Sequence, residues 1–275
     1  MRVALTGHQG FVGHHIGAAL ICAGHEVYGI DDFRSEVKLA RRGIHFTEEI
    51  RRDFACINFS YEFDEDGVDV LVHCGAYADV SRNWDSNKER DKVWENNVSG
   101  TRFLLENTSL WIPRVIFIST LAVKEDVVSP YAASKIAGEA LVRAYAKSCA
   151  ILRLASVVGE GYHHGHIADF VRAAKDSNGR GIKARSNGKV ARSMVHVLDV
   201  ADVVCKALEQ KNNIVHELSG GDWSPRDTVR VMGCEAEWAE EDFGWKGDTA
   251  PRVKRNCERS IESGVRDVLT SLGWP

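Results

Sequence analysis

Short apolar runs and helical patterns take turns along the first half of the chain. Arg2–Thr6, His25–Ile30, Val68–His73 and Val115–Ser119 read as strands. Val12–Ala23 reads as a helix between the first two, and Asp91–Thr108 and Tyr131–Lys147 are amphipathic stretches at helical spacing. Strands alternating with helices predict right-handed βαβ units, hence an α/β fold with a doubly wound parallel sheet covered on both faces. The second half is less regular, with a helix over Ile167–Lys175, a loop to Arg192, a helix over Val200–Glu209 and a ragged end. That pattern predicts a first domain over residues 1–155 and a smaller lobe over 156–275, with the chain interleaved between them.

The stretch TGHQGFVGHHIG (Thr6–Gly17) leaves the first strand and enters the first helix. Gly7, Gly10 and Gly13 are spaced GxxGxxG. Such a turn lets backbone N–H groups and a positive helix end approach a pyrophosphate. Alone, these glycines are as consistent with a plain turn. The next strand, however, ends in Asp31-Asp32, roughly 20 residues on, where a carboxylate accepts ribose hydroxyls. Together the features predict a dinucleotide site built on Gly7, Gly10, Phe11, Val12, Gly13, Asp31 and Asp32. The acids would repel a 2′-phosphate and favour NAD over NADP. Arg34, which could pair with that phosphate, is the dissenting residue.

Ser119 and Thr120 close a strand in FISTLAV, at the end where doubly wound sheets carry their sites. SPYAASK follows, with Tyr131 and Lys135 on one face of a helix. By itself a Tyr-xxx-Lys pair is an ordinary surface couple. After a dinucleotide turn and a strand-end Ser-Thr, it predicts proton transfer. A phenol with an ordinary pKa of about 10 becomes a usable base when an ammonium and an oxidised nicotinamide favour its phenolate.

These motifs, in this order, resemble the extended short-chain dehydrogenases/reductases, and among them the NAD-dependent epimerase/dehydratase family that acts on nucleotide sugars. The resemblance covers TGHQGFVG, the acid pair, HCGA (His73–Ala76), NNVSGT (Asn96–Thr101), the Ser-Thr, YAASK, LRLASVVGEG (Leu152–Gly161) and RSMVHVLDVA (Arg192–Ala201). It implies a Rossmann-like fold and NAD as cofactor. Thr120 would hold the reacting hydroxyl, with Ser119 beside it on the cofactor side. Tyr131 would be the base, and Lys135 would bind the nicotinamide ribose and tune it. The resemblance further implies adenine contacts from Glu49-Ile50, with Asp53 as the competing alignment. Cys74, Gly75 and Ala76 would lie over the cofactor, Asn97 would sit on the cofactor side, and Arg192 would grip a sugar-nucleotide diphosphate. Family members often dimerise through two helices per subunit, here Asp91–Thr108 and Tyr131–Lys147.

The sequence also departs from the sugar-modifying members. Val123–Glu125 read VKE where the family has VYG, and only Leu121–Pro130 separates Thr120 from Tyr131. That link is too short for the loop that usually walls the sugar pocket. Leu121 and Ala122 stand where sugar 4,6-dehydratases resemble one another in carrying Asp-Glu, which argues against elimination. Ser156 replaces the asparagine of N-x-YGP, whose tyrosine and proline are Val158 and Glu160. Ser156, Arg192 and His164 are the expected substrate contacts. YHHGH groups His163, His164 and His166, but no carboxylate stands at a suitable spacing, and no metal is expected. FGWKGDTAPR is compressed, leaving Arg252 as a bare candidate for a second diphosphate arginine.

Composition narrows the partners. At 275 residues, 44% hydrophobic and 27% charged with a formal net charge of −4, the chain has no electrostatic pull toward nucleic acid or an anionic membrane. No apolar run approaches the roughly 18 residues of a membrane span. No signal-peptide pattern opens the chain, and the seven scattered cysteines contain no CxxC pair. Reduced thiols in a cytoplasmic protein are the expectation. Three functions stay open: a nucleotide-sugar epimerase that works through a transient keto intermediate and retains NAD, a reductase or dehydrogenase of a sugar or other small carbonyl compound, and a non-catalytic dinucleotide sensor. Intact Thr120, Tyr131 and Lys135 argue against the sensor, and the epimerase, as a homodimer, leads.

Overall fold

The chain runs β1 (Arg2–Thr6), α1 (Phe11–Cys22), β2 (Glu26–Asp31), β3 (Glu48–Arg51), β4 (Val70–His73), α2 (Asn87–Trp94), a π-helical segment (Glu95–Gly100), α3 (Thr101–Thr108), β5 (Arg114–Thr120), α4 (Pro130–Tyr145) and β6 (Cys149–Leu154). It continues as β7 (Ser156–Val158), α5 (Gly165–Asp176), β8 (Ile182–Ala184), β9 (Arg192–His196), α6 (Val197–Leu208), β10 (Ile214–Leu218), β11 (Gly221–Trp223), α7 (Pro225–Met232), β12 (Ala236–Trp238) and α8 (Ile261–Ser271). This computed structural model describes residues 1–33, 45–57, 63, 67–78, 87–108, 112–124, 129–163, 165–177, 181–184, 186–240 and 254–274.

Met1–Lys124, Val128–Leu154 and Val200–Glu217 form one compact unit. Its seven-stranded sheet has the order β10-β6-β5-β4-β1-β2-β3. The pairings from β3 across to β6 are parallel. β1, β4, β5 and β6 are buried along almost their whole length, as strands covered on both faces must be. The doubly wound sheet expected from the alternating pattern is therefore present. Strand order reverses where β1 meets β4, and a ligand crevice opens at such a switch point beyond the carboxyl ends of the strands. The stretch expected as one helix over Asp91–Thr108 is interrupted by the π-helical turn that carries Asn97.

The second unit, chiefly Ala155–Asp199 and Leu218–Pro275, is smaller. It holds a three-stranded sheet, β11-β9-β7, and a two-stranded one, β12-β8. Its core gathers Val171, Met194, Trp223, Val265 and Val268 from α5, β9, β11 and α8.

A buried polar chain ties the carboxyl ends of β1 and β4 together. Thr6 and His73 face each other in register. Gly75 N–H donates to Thr6 Oγ1 at 3.0 Å, and Thr6 Oγ1 meets His73 Nδ1 at 2.7 Å. His73 Nε2 reaches Thr101 Oγ1 on α3 at 2.9 Å. With Thr6 giving its hydroxyl proton to Nδ1, the imidazole is the neutral Nε2–H tautomer. Burial, with the Lys135 charge second, pulls His73 down to about 3.

The sign of the pH effect follows directly. Below the ordinary 6.5 the unfolded chain binds a proton at His73 that the fold refuses, so stability falls as pH drops. This residue's share of the slope is about 1.4 kcal/mol per pH unit, present from about 6.5 downward. His73→Gln should remove that share from urea-unfolding free energies measured between about pH 6 and 4. An unchanged slope would mean that His73 protonates inside the fold.

Candidate active site

The glycine turn is built by backbone touching backbone. Gly7 has φ +74°, and a Cβ there would lie 2.7 Å from both Cα and N of Gly75, just past β4. A Cβ at Gly13 would run into the Gly7 carbonyl. Gly7 N–H donates to Ile30 O at 2.8 Å, and Gly10 N–H to Gly7 O at 3.0 Å. α4, α7 and α8 receive side-chain caps from Ser129, Ser224 and Ser260. α1 receives none, since its N-cap is Gly10 and its first turn holds no acid. The positive end of α1, with Phe11, Val12 and Gly13 in its first turn, is thus left for an external anion.

At the end of β2, Asp31 is buried, and its carboxylate is aimed by two backbone donors. Gln9 N–H reaches Oδ2 at 3.0 Å and Phe33 N–H reaches Oδ1 at 2.9 Å. Each oxygen keeps a lone pair for a ribose hydroxyl. Asp32 follows at the strand end. Glu49 and Ile50 occupy opposite faces of β3, as strand alternation requires. Ile50 joins the core, whereas Glu49 Oε1 meets His8 Nε2 at 3.1 Å and Gln9 Nε2 at 2.8 Å. The His8 ring lies under Gly29 and edge-on to Phe46.

Tyr131 and Lys135 are brought together at the start of α4. Lys135 is 3% exposed, and its Nζ donates to Ile118 O at 2.9 Å. The same ammonium stands 4.8 Å from the Phe117 ring centre and 5.9 Å from that of Tyr131. Burial lowers Lys135 to about 8, against the pull of Cys74 and Glu139. Burial, then Cys74, pushes the Tyr131 phenol above its ordinary value, and burial pushes the Cys74 thiol up to about 12. Cys74, Gly75 and Ala76 thus pass from the end of β4 toward the Tyr-Lys pair.

The neighbouring polar residues brace this pair. Asn97 Nδ2 donates to Ser134 Oγ at 3.0 Å and to Tyr77 O at 3.1 Å, while Ser134 Oγ donates to Tyr131 O at 2.7 Å. Thr120 ends β5, and its Oγ1 accepts the Ala122 N–H at 3.2 Å. Ser119 turns the other way and donates to Glu139 Oε1 at 2.7 Å. Sequence reasoning passed over Glu139. Its signal was an acid one turn beyond Lys135 on the buried side of an amphipathic helix.

In the second unit, Ser156 on β7 faces Met194 on β9, two residues from Arg192. Arg192 acts electrostatically on Tyr162 and His166. Burial, then Arg192, lowers His166 to about 4, and its Nε2 lies 3.3 Å from Thr228 Oγ1. His164, Arg34 and Arg252 lie outside the described residues. No helix among the described residues is long and apolar enough to cross a membrane.

The profile of the NAD-dependent epimerase/dehydratase family matches residues 3–220. The chain belongs to that family. A UDP-glucose 4-epimerase of Lacticaseibacillus casei is 27% identical over 243 residues, covering 76% of this chain and 72% of the relative. A UDP-N-acetyl-alpha-D-glucosaminuronate decarboxylase of Bacillus cytotoxicus is 26% identical over 245 residues, covering 77% and 72%. Among solved structures, a UDP-glucose 4-epimerase from Stenotrophomonas maltophila with bound NAD and formylated UDP-arabinopyranose aligns over 99% of this chain and 98% of its own, with a TM-score of 0.81 and 19% identity. Membership makes NAD the cofactor, and the uncapped α1, the glycine crossing and the aimed Asp31 carboxylate fit it.

NAD(H) should bind at least about tenfold tighter than NADP(H), a difference of about 1.4 kcal/mol or more. Asp31→Ala should narrow that ratio by removing the repulsion. It should also weaken NAD binding, because Gln9 and Phe33 lose their common acceptor. Equal affinities for the unaltered protein in a fluorescence titration would mean that the acids do not set the choice.

Proposed function

We propose that this protein is an NAD-dependent epimerase of a nucleotide sugar, acting through a transient keto sugar. The observation that carries this reading is the buried Lys135 ammonium held beside Tyr131 at the carboxyl end of β5. The epimerases among its relatives support the substrate class. NAD, when bound, supplies a hydride acceptor that later returns the hydride. Tyr131 takes the proton of the sugar hydroxyl as its carbon is oxidised. Burial holds the free phenol high; the nearby ammonium and the positive charge of an oxidised nicotinamide would favour the phenolate, so that the phenol's own proton has gone to solvent before the sugar hydroxyl gives up its proton. Thr120 Oγ1, already accepting the Ala122 N–H, donates its own proton to the reacting oxygen. The keto sugar turns over in the site, and Tyr131 returns the proton. Leu121 and Ala122 offer no acid or base for elimination, which favours epimerisation over dehydration.

The purified protein should release about one NAD per chain on denaturation and interconvert UDP-glucose and its 4-epimer without added cofactor. An empty site and turnover only with added NADH would favour a reductase instead. Tyr131→Phe should lower turnover about 10²–10⁴-fold while NAD still binds, and Thr120→Val should be severe where Thr120→Ser is mild. Near-normal turnover by Tyr131→Phe would sink the assignment of the base.

The same reading extends to a cytoplasmic homodimer. Trp94, Phe103 and Ile136, on α2, α3 and α4, are 42%, 38% and 43% exposed, an apolar surface on the helices that the family resemblance assigns to a four-helix interface. Light scattering at micromolar concentration should give twice the chain mass, and Phe103→Glu should shift the protein toward monomer. A monomeric unaltered protein would count against the interface.

A further inference from the structure

Glu139 follows Lys135 by one helical turn on α4 and is 3% exposed. A carboxylate taken out of water is costly unless well paired, and this one is paired from three elements. Ser119 Oγ, at the end of β5, donates to Oε1 at 2.7 Å. Arg153 on β6 grips both oxygens, Nε to Oε1 at 2.9 Å and Nη2 to Oε2 at 2.8 Å. Arg143, one turn further along α4, reaches Oε2 at 3.1 Å. Arg153 also reaches Glu217 on β10 at 3.5 Å, and Glu217 takes Lys124 at 2.9 Å. Neutral side chains could fill such a space at least as stably. The groups gathered here are also particular: Ser119 adjoins Thr120, and the helix is the one that presents Tyr131 and Lys135.

We propose that Glu139 is a positioning residue of the active site, holding the Ser119-Thr120 end of β5 against α4 and balancing the ammonium of Lys135 one turn away. The proposal rests on the assignment of Tyr131 and Lys135 above. The groups around Lys135 leave this balance to few partners. The neutral His73 ends β4 and the Cys74 thiol follows it, and β5 presents the Ile118 carbonyl and the Phe117 ring. Its own helix presents Tyr131 and Glu139. Burial raises Glu139, but hydrogen bonds from Arg153 and Ser119 outweigh it and hold the carboxylate below its ordinary value. Its negative charge is therefore kept throughout the working pH range.

Lys135 can be titrated directly in protein labelled with ¹³C at lysine Cε, its resonance assigned by loss in Lys135→Met. The midpoint in the unaltered protein is expected near pH 8. Glu139→Gln keeps an oxygen for Ser119 but removes the charge, and should move the midpoint about one unit lower. Damage to packing would move it the other way, toward the ordinary 10.5. A midpoint unchanged or raised overturns the proposal. Should Glu139→Gln not fold, Arg153→Met gives the opposite test. With that cation gone, more of the Glu139 charge acts on Lys135, and the midpoint should rise while the near-UV circular dichroism stays that of the unaltered protein; no rise, or a rise only together with a lost near-UV signal, overturns the proposal as well. Tyr131→Phe assayed on UDP-glucose separates the two levels. Retained turnover there removes the base assignment while leaving the Lys135 titration to decide the role of Glu139.

Discussion

Lys135 carries a charge into a place where water does not follow, and much of the first unit is arranged around that cost. An ammonium out of water costs several kcal/mol unless its surroundings replace the lost hydration. The Ile118 carbonyl, the face of Phe117 and a carboxylate one turn along the helix are the replacements. Two of them belong to β5, the strand that ends at Thr120, so stabilising the charge and aligning the strand end with α4 are one task. Even so, burial keeps Lys135 at about 8, which leaves the ammonium responsive to small changes around it.

The dinucleotide end of the crevice obeys a different constraint, the absence of side chains. Gly7 approaches the Gly75 backbone so closely that it could not carry a Cβ without moving β1 or β4, and a Cβ on Gly75 would meet the Phe54 ring at 2.9 Å. That contact sets where α1 begins, and α1 begins without a cap. The Thr6–His73–Thr101 chain then fixes the same two strand ends from beneath with hydrogen bonds that exclude a proton rather than take one up. Backbone contact above and a neutral polar chain below make the switch point stiff. A site that must hold a cofactor through repeated turnovers benefits from that stiffness, because little ordering is left to do on binding.

Membership in the NAD-dependent epimerase/dehydratase family settles the cofactor more fully than the substrate. Relatives of similar identity include both a 4-epimerase and a decarboxylase, so overall likeness does not select the reaction. Next to Thr120, Leu121 is buried and Ala122 gives its N–H to the Thr120 hydroxyl.

The alternation of apolar runs with helical stretches was sufficient to read the parallel sheet, because strands covered on both faces must be apolar throughout. The glycine turn and the Tyr-xxx-Lys face were readable for a related reason: both are local, set by backbone freedom and by helical spacing over a few residues. The π-helical turn at Glu95–Gly100 was not readable, since its apolar spacing resembles that of a plain helix. Nor were the partners of the polar side chains. Glu139 meets Ser119 and Arg153 from two different strands, Glu49 turns to His8 and Gln9 at the far end of the chain's first loop, and His73 joins Thr6 to Thr101. The sequence by itself determined the alternating elements, the glycine turn and the placing of Tyr131 and Lys135 on one helix. Only the tertiary structure decided which charges are buried and what balances them, because hydrogen bonds and desolvation depend on neighbours that the chain brings together from distant positions.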